Sequence, residues 1–108
     1  MSRHVAMCTY RVKEGKDEEF QGHLLKHQPT LHKLGLLTDE PSLIFRGRDE
    51  SGKSFFVEFL HWKSADGQTV AEQMPEVLAV WERLGSLVEA RSGRPPMEFP
   101  FVEQIETG

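Results

Sequence analysis

The 108 residues contain one cysteine, Cys8, so an internal disulfide is excluded and a reducing, cytoplasmic setting is the natural expectation. No apolar run approaches the roughly 20 residues that a membrane-spanning helix needs. The start, Met1-Ser2-Arg3-His4, passes directly into a strand-like pattern with no apolar leader region. Base is not in surplus: 13 Lys and Arg stand against 17 Asp and Glu, a formal net charge of −4, which argues against a generic polyanion binder. There is no Gly-rich phosphate loop after a strand and no Ser, Cys or Thr in a nucleophile elbow. Low-complexity tracts are missing too, and the length suits one globular domain over residues 1–108. No membrane or nucleic-acid partner is expected. Cys8 lies in a strand-like stretch, where a free thiol is read as a small buried hydrophobe rather than a nucleophile.

What the chain does have is a strand that is apolar on both faces. Phe55, Val57, Phe59 and His61 fall on one side of the stretch Phe55 to Trp62, and Phe56, Glu58, Leu60 and Trp62 on the other. A strand of this kind needs two covering layers. Helices supply one. The other side would leave an apolar patch in water, so a homodimer packed through its sheet faces is expected.

The remaining elements follow from period and punctuation. His4 to Val12 holds the β-formers Val5, Thr9, Tyr10 and Val12 and reads as strand one. Asp17-Glu18-Glu19 opens a helix whose apolar stripe is Phe20, Leu24, His27, Leu31 and Leu34, with Gly35 as the residue just past its end. Pro29 is expected to kink or split that helix. Ser42 to Arg48 is strand two, and Asp49-Glu50-Ser51-Gly52 a hairpin connection into strand three. Ser64 is a candidate N-cap for a second helical region. Its stripe is Val70, Met74, Val77, Trp81, Leu84 and Val88, in two pieces, 65–73 and 75–90, divided at Pro75. A Gly/Pro loop containing Arg91 and Arg94 leads to a last strand, Met97 to Ile105, which Pro100 confines to a sheet edge.

The order βαββαβ is the split βαβ, ferredoxin-like plan of an α+β sandwich. Strands one and three are expected to be central and parallel, with both helices on one face. Within this order, Phe59-Leu60-His61-Trp62-Lys63-Ser64 and the helical segment Glu72-Gln73-Met74-Pro75-Glu76-Val77, running on to Trp81, resemble the dimeric α+β barrel superfamily. The resemblance is to proteins like the antibiotic biosynthesis monooxygenases, which share an aromatic residue at the end of strand three and a Ser two positions later. The element order covers nearly the whole chain; the motif covers about a fifth of it.

That resemblance implies a pocket between sheet and helices in each protomer, with Trp62 at its aromatic position. It implies a cofactor-independent monooxygenase acting on a small aromatic or polyketide-like molecule, and no cofactor is expected. The haem-degrading branch requires an Asn on strand one and a His on the second helix. This chain has no Asn at all and no His in its second helical region, which counts against haem breakdown. A non-catalytic ligand-binding or structural dimer, and an oxygen-independent isomerase or cyclase, are the other readings the residues allow.

Among residues able to do chemistry, His27 interrupts an apolar stripe, and a polar group there costs energy unless partnered. It is read either as a general base in the pocket, since imidazole titrates near neutrality, or as a helix-edge histidine bonded to backbone or water. Glu58 shares strand parity with Trp62. It would either pair with His27 to build an acid–base site or be satisfied by Arg11 or Arg46. The pocket walls are expected from Phe20, Leu24, Trp62, Met74, Val77 and Trp81. A Trp at such a position is more often core than a site wall.

His23 and His27 have the i, i+4 spacing of a metal pair, but no recognised motif surrounds them and no metal site is expected. Arg91, Arg94 and Lys63 either gather at the pocket mouth, favouring an anion, or lie solvated in a loop. Phe56-Val57-Glu58-Phe59 matches the end of an RNA-recognition signature. Gly52 to Phe55 do not match its first half, so RNA binding is not expected.

Overall fold

The computed structural model describes residues 4–107; the start Met1-Ser2-Arg3 lies outside them. In chain order the elements are β1 (His4–Arg11), α1 (Asp17–Lys33), β2 (Ile44–Arg48), β3 (Ser54–Trp62), α2 (Gly67–Ala71), α3 (Pro75–Gly85), β4 (Met97–Glu98) and β5 (Phe101–Val102). The sheet runs β2-β3-β1-β4, with β5 also paired to β1. The α+β, ferredoxin-like plan is therefore present, with β1 and β3 central.

Those two strands are antiparallel, not parallel, in the register His4 with Trp62 through Arg11 with Phe55. Topology requires it. The α1 crossover brings β2 into the direction of β1, and the tight β2–β3 hairpin reverses it. Asp49 holds that hairpin, its Oδ1 accepting from the backbone N–H groups of Ser51 and Lys53.

Burial alternates along all of β3. Ser54, Phe56, Glu58, Leu60 and Trp62 are buried, while Phe55, Val57, Phe59 and His61 are half-exposed on the other face. Cross-strand partners share a face, so Ala6, Cys8 and Tyr10 of β1 join the inner side. The helices cover that side through Phe20, Leu24, His27 and Leu31 of α1 and Val77 and Leu84 of α3. On the outer side Leu43 and Phe45 are each 55% exposed, beside Val57 and Phe59.

Several local expectations change. α1 is continuous through Pro29 rather than split. The Pro29 ring faces water, and the Thr30 hydroxyl bonds the Lys26 carbonyl at 2.7 Å, one residue beyond the carbonyl that Pro29 leaves unpaired. The helix ends as expected at Gly35, whose φ of 77° places it in the left-handed region. The Gly35 N–H reaches His32 O and the Leu36 N–H reaches Leu31 O, a Schellman closure.

Ser64 does not cap α2. Asp66 holds the N-cap position, and the Ser64 hydroxyl donates to the Asp66 carboxylate. α2 and α3 are shorter than expected but divide at Pro75, which sits in the first turn of α3. On α2 it is Ala71 that turns inward, leaving Val70 exposed. Strand two begins at Ile44 rather than Ser42. The single strand Met97 to Ile105 is instead two short ones, interrupted at Phe99-Pro100, where proline has no N–H to give the ladder. The Pro100 carbonyl still accepts from Met7 N–H, so the edge stays attached to β1.

Candidate functional site

Between sheet and helices lies a cavity of about 230 Å³. Tyr10 and Cys8 of β1 and Leu60 and Trp62 of β3 form its floor, and His27 and Trp81 approach from the helices. Phe99 and Met97 close the β4 side. Gln68, half-buried, and Glu72, exposed, mark its opening to water.

Each polar group is delivered by a local rule. His27 is on α1 three residues after Leu24 and four before Leu31, on the helix face that meets the sheet. Glu58 is an even position of β3, between the buried Phe56 and Leu60. Tyr10 lies opposite Phe56, and so beside Glu58 on the same face. Trp62 is fixed where the α1–β2 loop folds back: Leu37 bridges to it and Lys63 N–H bonds the Leu36 carbonyl at 3.0 Å. Its ring lies against Gly67, where a Cβ would come within 2.5 Å of the indole, so only glycine admits this packing.

Four side chains form one chain of hydrogen bonds. The Tyr10 hydroxyl donates to Glu58 Oε1 at 2.8 Å, and His27 Nδ1 lies 2.9 Å from the same oxygen. The Trp81 indole N–H donates to His27 Nε2 at 2.9 Å. An indole nitrogen is a donor only, so Nε2 must be the accepting nitrogen and the Nδ1–H faces Glu58. The imidazole is thereby held as the neutral Nδ1–H tautomer, its basic lone pair at the cavity wall.

The surroundings are dry, with Glu58 0% and His27 2% exposed. Glu58 Oε2 and the Trp62 indole N–H are buried with no hydrogen-bond partner among the described residues. Burial pushes the Tyr10 phenol well above its ordinary value, and the Glu58 charge adds to it. Burial likewise pushes the Cys8 thiol up, again with Glu58 contributing, so Cys8 is an inert wall rather than a nucleophile.

The residues expected from sequence therefore divide. His27, Trp62 and Trp81 line the cavity, and Glu58 stands directly behind His27. Glu58 is bonded through Oε1 to Tyr10 and His27 rather than to Arg11 or Arg46; Arg11 instead pairs with Glu98 at 3.0 Å. Phe20, Leu24 and Val77 are packed in the core beside the cavity and Met74 is partly buried against that core, none of them in the cavity wall. Tyr10 is the member that sequence reasoning missed. Its parity with Ala6 and Cys8 was the available signal.

Arg91, Arg94 and Lys63 do not gather at this mouth. Arg91 and Arg94 border a separate cleft with Arg11 and Arg48. There Arg91 is a buried strut: Nη2 donates to the Ser54 carbonyl at 2.7 Å, Nη1 lies 3.5 Å from Asp49 and Nε 3.9 Å from Glu89. Lys63 is exposed and borders neither space. His27 has both ring nitrogens engaged, and among the described residues no cluster of His, Cys, Asp and Glu is arranged as a metal site. No described helix is long and apolar enough to cross a membrane.

Comparison with known proteins gives no match to any family model and none to a curated protein sequence. Solved structures do match. A protein assigned as an antibiotic biosynthesis monooxygenase from Bordetella bronchiseptica superposes with a TM-score of 0.74, over 98% of this chain and 100% of that one, at 10% identity. The fold is that of the antibiotic biosynthesis monooxygenases. A second protein so assigned, from Nitrosomonas europaea, gives a TM-score of 0.70 over 96% and 100% of the two chains at 12% identity. SnoaB, a cofactor-independent oxygenase from Streptomyces nogalater, gives 0.67 over 96% and 95% at 16% identity. At these identities the likeness to the monooxygenases concerns the backbone, and the residues facing the cavity must be read for themselves.

Proposed function

We propose that the cavity binds a small hydroxylated aromatic or polyketide-like molecule and that the protein is a cofactor-independent monooxygenase. The observation that carries this reading is His27, held by Glu58 at the wall of an aromatic-lined cavity, where its accepting Nε2 meets the Trp81 indole N–H and can take a proton once that N–H turns away. Such a group can take the hydroxyl proton of a phenol. The resulting phenolate is electron-rich enough to reduce O2 by one-electron transfer and then form a C–O bond at the ring carbon para to its oxygen. Loss of water from that hydroperoxide leaves a quinone. With 1-naphthol as the probe, one naphthol and one O2 give one naphthoquinone and one water, which balances. The exposed Glu72 at the opening disfavours an anionic ligand, in keeping with proton removal inside the cavity rather than before entry.

The test is oxygen consumption with 1-naphthol, read together with quinone formation. Equal uptake of O2 and release of quinone, with oxygen-18 from O2 in the product, is the expected result. Binding without O2 uptake would replace this reading by a ligand-binding protein or an oxygen-independent isomerase.

We further propose that two copies pair through their outer sheet faces. Support comes from Leu43 and Phe45, each 55% exposed, beside Val57 and Phe59, with the Phe45 and Phe59 rings edge to face at 6.3 Å. Sedimentation at micromolar concentration is expected to give a dimer for the native chain and a monomer for Phe59→Asp. A monomeric native chain would overturn the proposal.

A further inference from the structure

Trp81 occupies the one position from which His27 can act. Nδ1 is committed to Glu58, so Nε2 carries the only lone pair the imidazole can offer a ligand, and the Trp81 indole N–H already fills it at 2.9 Å. The two rings meet edge to face, 68° between planes, and both line the cavity. If a ligand is to engage Nε2, one of the two bonds to the imidazole must give way. Breaking the Glu58 side would strip a donor from a fully buried carboxylate whose other oxygen already has no partner. Releasing the Trp81 side costs less. Trp81 is only half-buried, and its N–H can turn toward water at the rim.

Resting on the reading of this cavity as a binding site, we infer that Trp81 is a positioning and specificity residue, a placeholder whose N–H is displaced by the ligand's hydroxyl. The His27 tautomer sets the ligand class. Nε2 is an acceptor in this tautomer, so only a group bringing its own proton can replace the indole. Phenols and enols meet that requirement. Their methyl ethers and the corresponding quinones do not, and they leave Trp81 on His27. A product quinone is thus rejected from the position its parent phenol held, and the returning indole N–H assists its release.

The experiment compares 1-naphthol with 1-methoxynaphthalene, using calorimetric titration and the indole N–H signals of the native chain, with Trp81→Phe identifying the Trp81 signal. Naphthol is expected to bind the native chain within about threefold of its ether, because its bond to Nε2 replaces the indole's, and to lead the ether by about fivefold to tenfold, the value of one hydrogen bond, only in Trp81→Phe. It should move the Trp81 indole signal, and the ether should not. Trp81→Phe, with nothing to displace, is expected to bind naphthol several-fold more tightly than the native chain, roughly the same single-bond scale, and the ether unchanged. Naphthol binding that depends on His27 but leaves the Trp81 signal still, with Trp81→Phe unaltered, would overturn the placeholder role and leave the binding site standing. If neither compound binds, or if His27→Ala binds naphthol as well as the native chain does, the site itself falls and the inference with it.

Discussion

Replacing His27 with alanine is expected to lower kcat/KM for naphthol oxidation by about 10²–10⁴, the range a general base contributes. No other described side chain can substitute for it at the cavity wall. Tyr10 and Cys8 both hold their protons firmly because they are buried beside Glu58. Glu72 lies at the exposed rim, away from the dry floor. Glu58→Gln is the more informative partner variant. Its amide oxygen can still accept from Tyr10 and from His27 Nδ1, which keeps the tautomer, but the negative charge that would stabilise an imidazolium is gone. Turnover should therefore fall by less than in His27→Ala, with the pH–rate profile displaced as well as lowered. A purely structural role for Glu58 would lower activity in proportion to folded protein and leave the profile where it was. Circular dichroism and thermal unfolding on both variants separate the two, because removing either partner from a buried pair also costs stability. Unchanged kcat/KM in folded His27→Ala would remove the acid–base reading.

How much of this was legible in the chain can be traced residue by residue. The two faces of β3 were readable because a period of two leaves no freedom: once Trp62 is inside, Glu58 must be. The α1 stripe was readable for the corresponding helical reason, and His27 stood out as its one polar member. Tyr10 was not, since its bond to Glu58 depends on the register between β1 and β3, a pairing of residues 48 apart. The Trp81–His27 bond joins two helices 54 residues apart and is likewise a product of tertiary packing. Neither separation leaves a mark in local pattern.

The cavity itself was the least legible feature. Phe20, Leu24, Val77 and His27 all belong to inward stripes, yet only His27 borders open space. Which inward residue meets a void and which meets another side chain is decided by the summed volumes of every neighbour, to within a methyl group. The parallel pairing of β1 and β3 failed differently. It was an error of topology, since following the chain direction through α1 and the hairpin is enough to make them antiparallel.

Phe20 turns that distinction into a measurement of stability. Its ring is fully buried, 5.2 Å from Tyr10 and 5.1 Å from Phe56 between centroids, and tilted against both. Phe20→Ala would open a void where three aromatic rings meet and lose their contacts. The expected cost is about 3–5 kcal/mol, against a total that for domains of this size is roughly 5–15 kcal/mol. Urea unfolding should show the midpoint falling with its slope nearly unchanged. Phe20→Leu, which keeps most of the volume, should cost markedly less. A cavity-wall residue would behave in the opposite way, weakening naphthol binding with little loss of stability, because its side chain already borders empty space. Phe20→Ala is expected to bind naphthol nearly as the native chain does wherever it remains folded. A stability loss below about 1 kcal/mol, too small for any buried aromatic ring removed from a packed core, would mean that Phe20 faces the ligand after all.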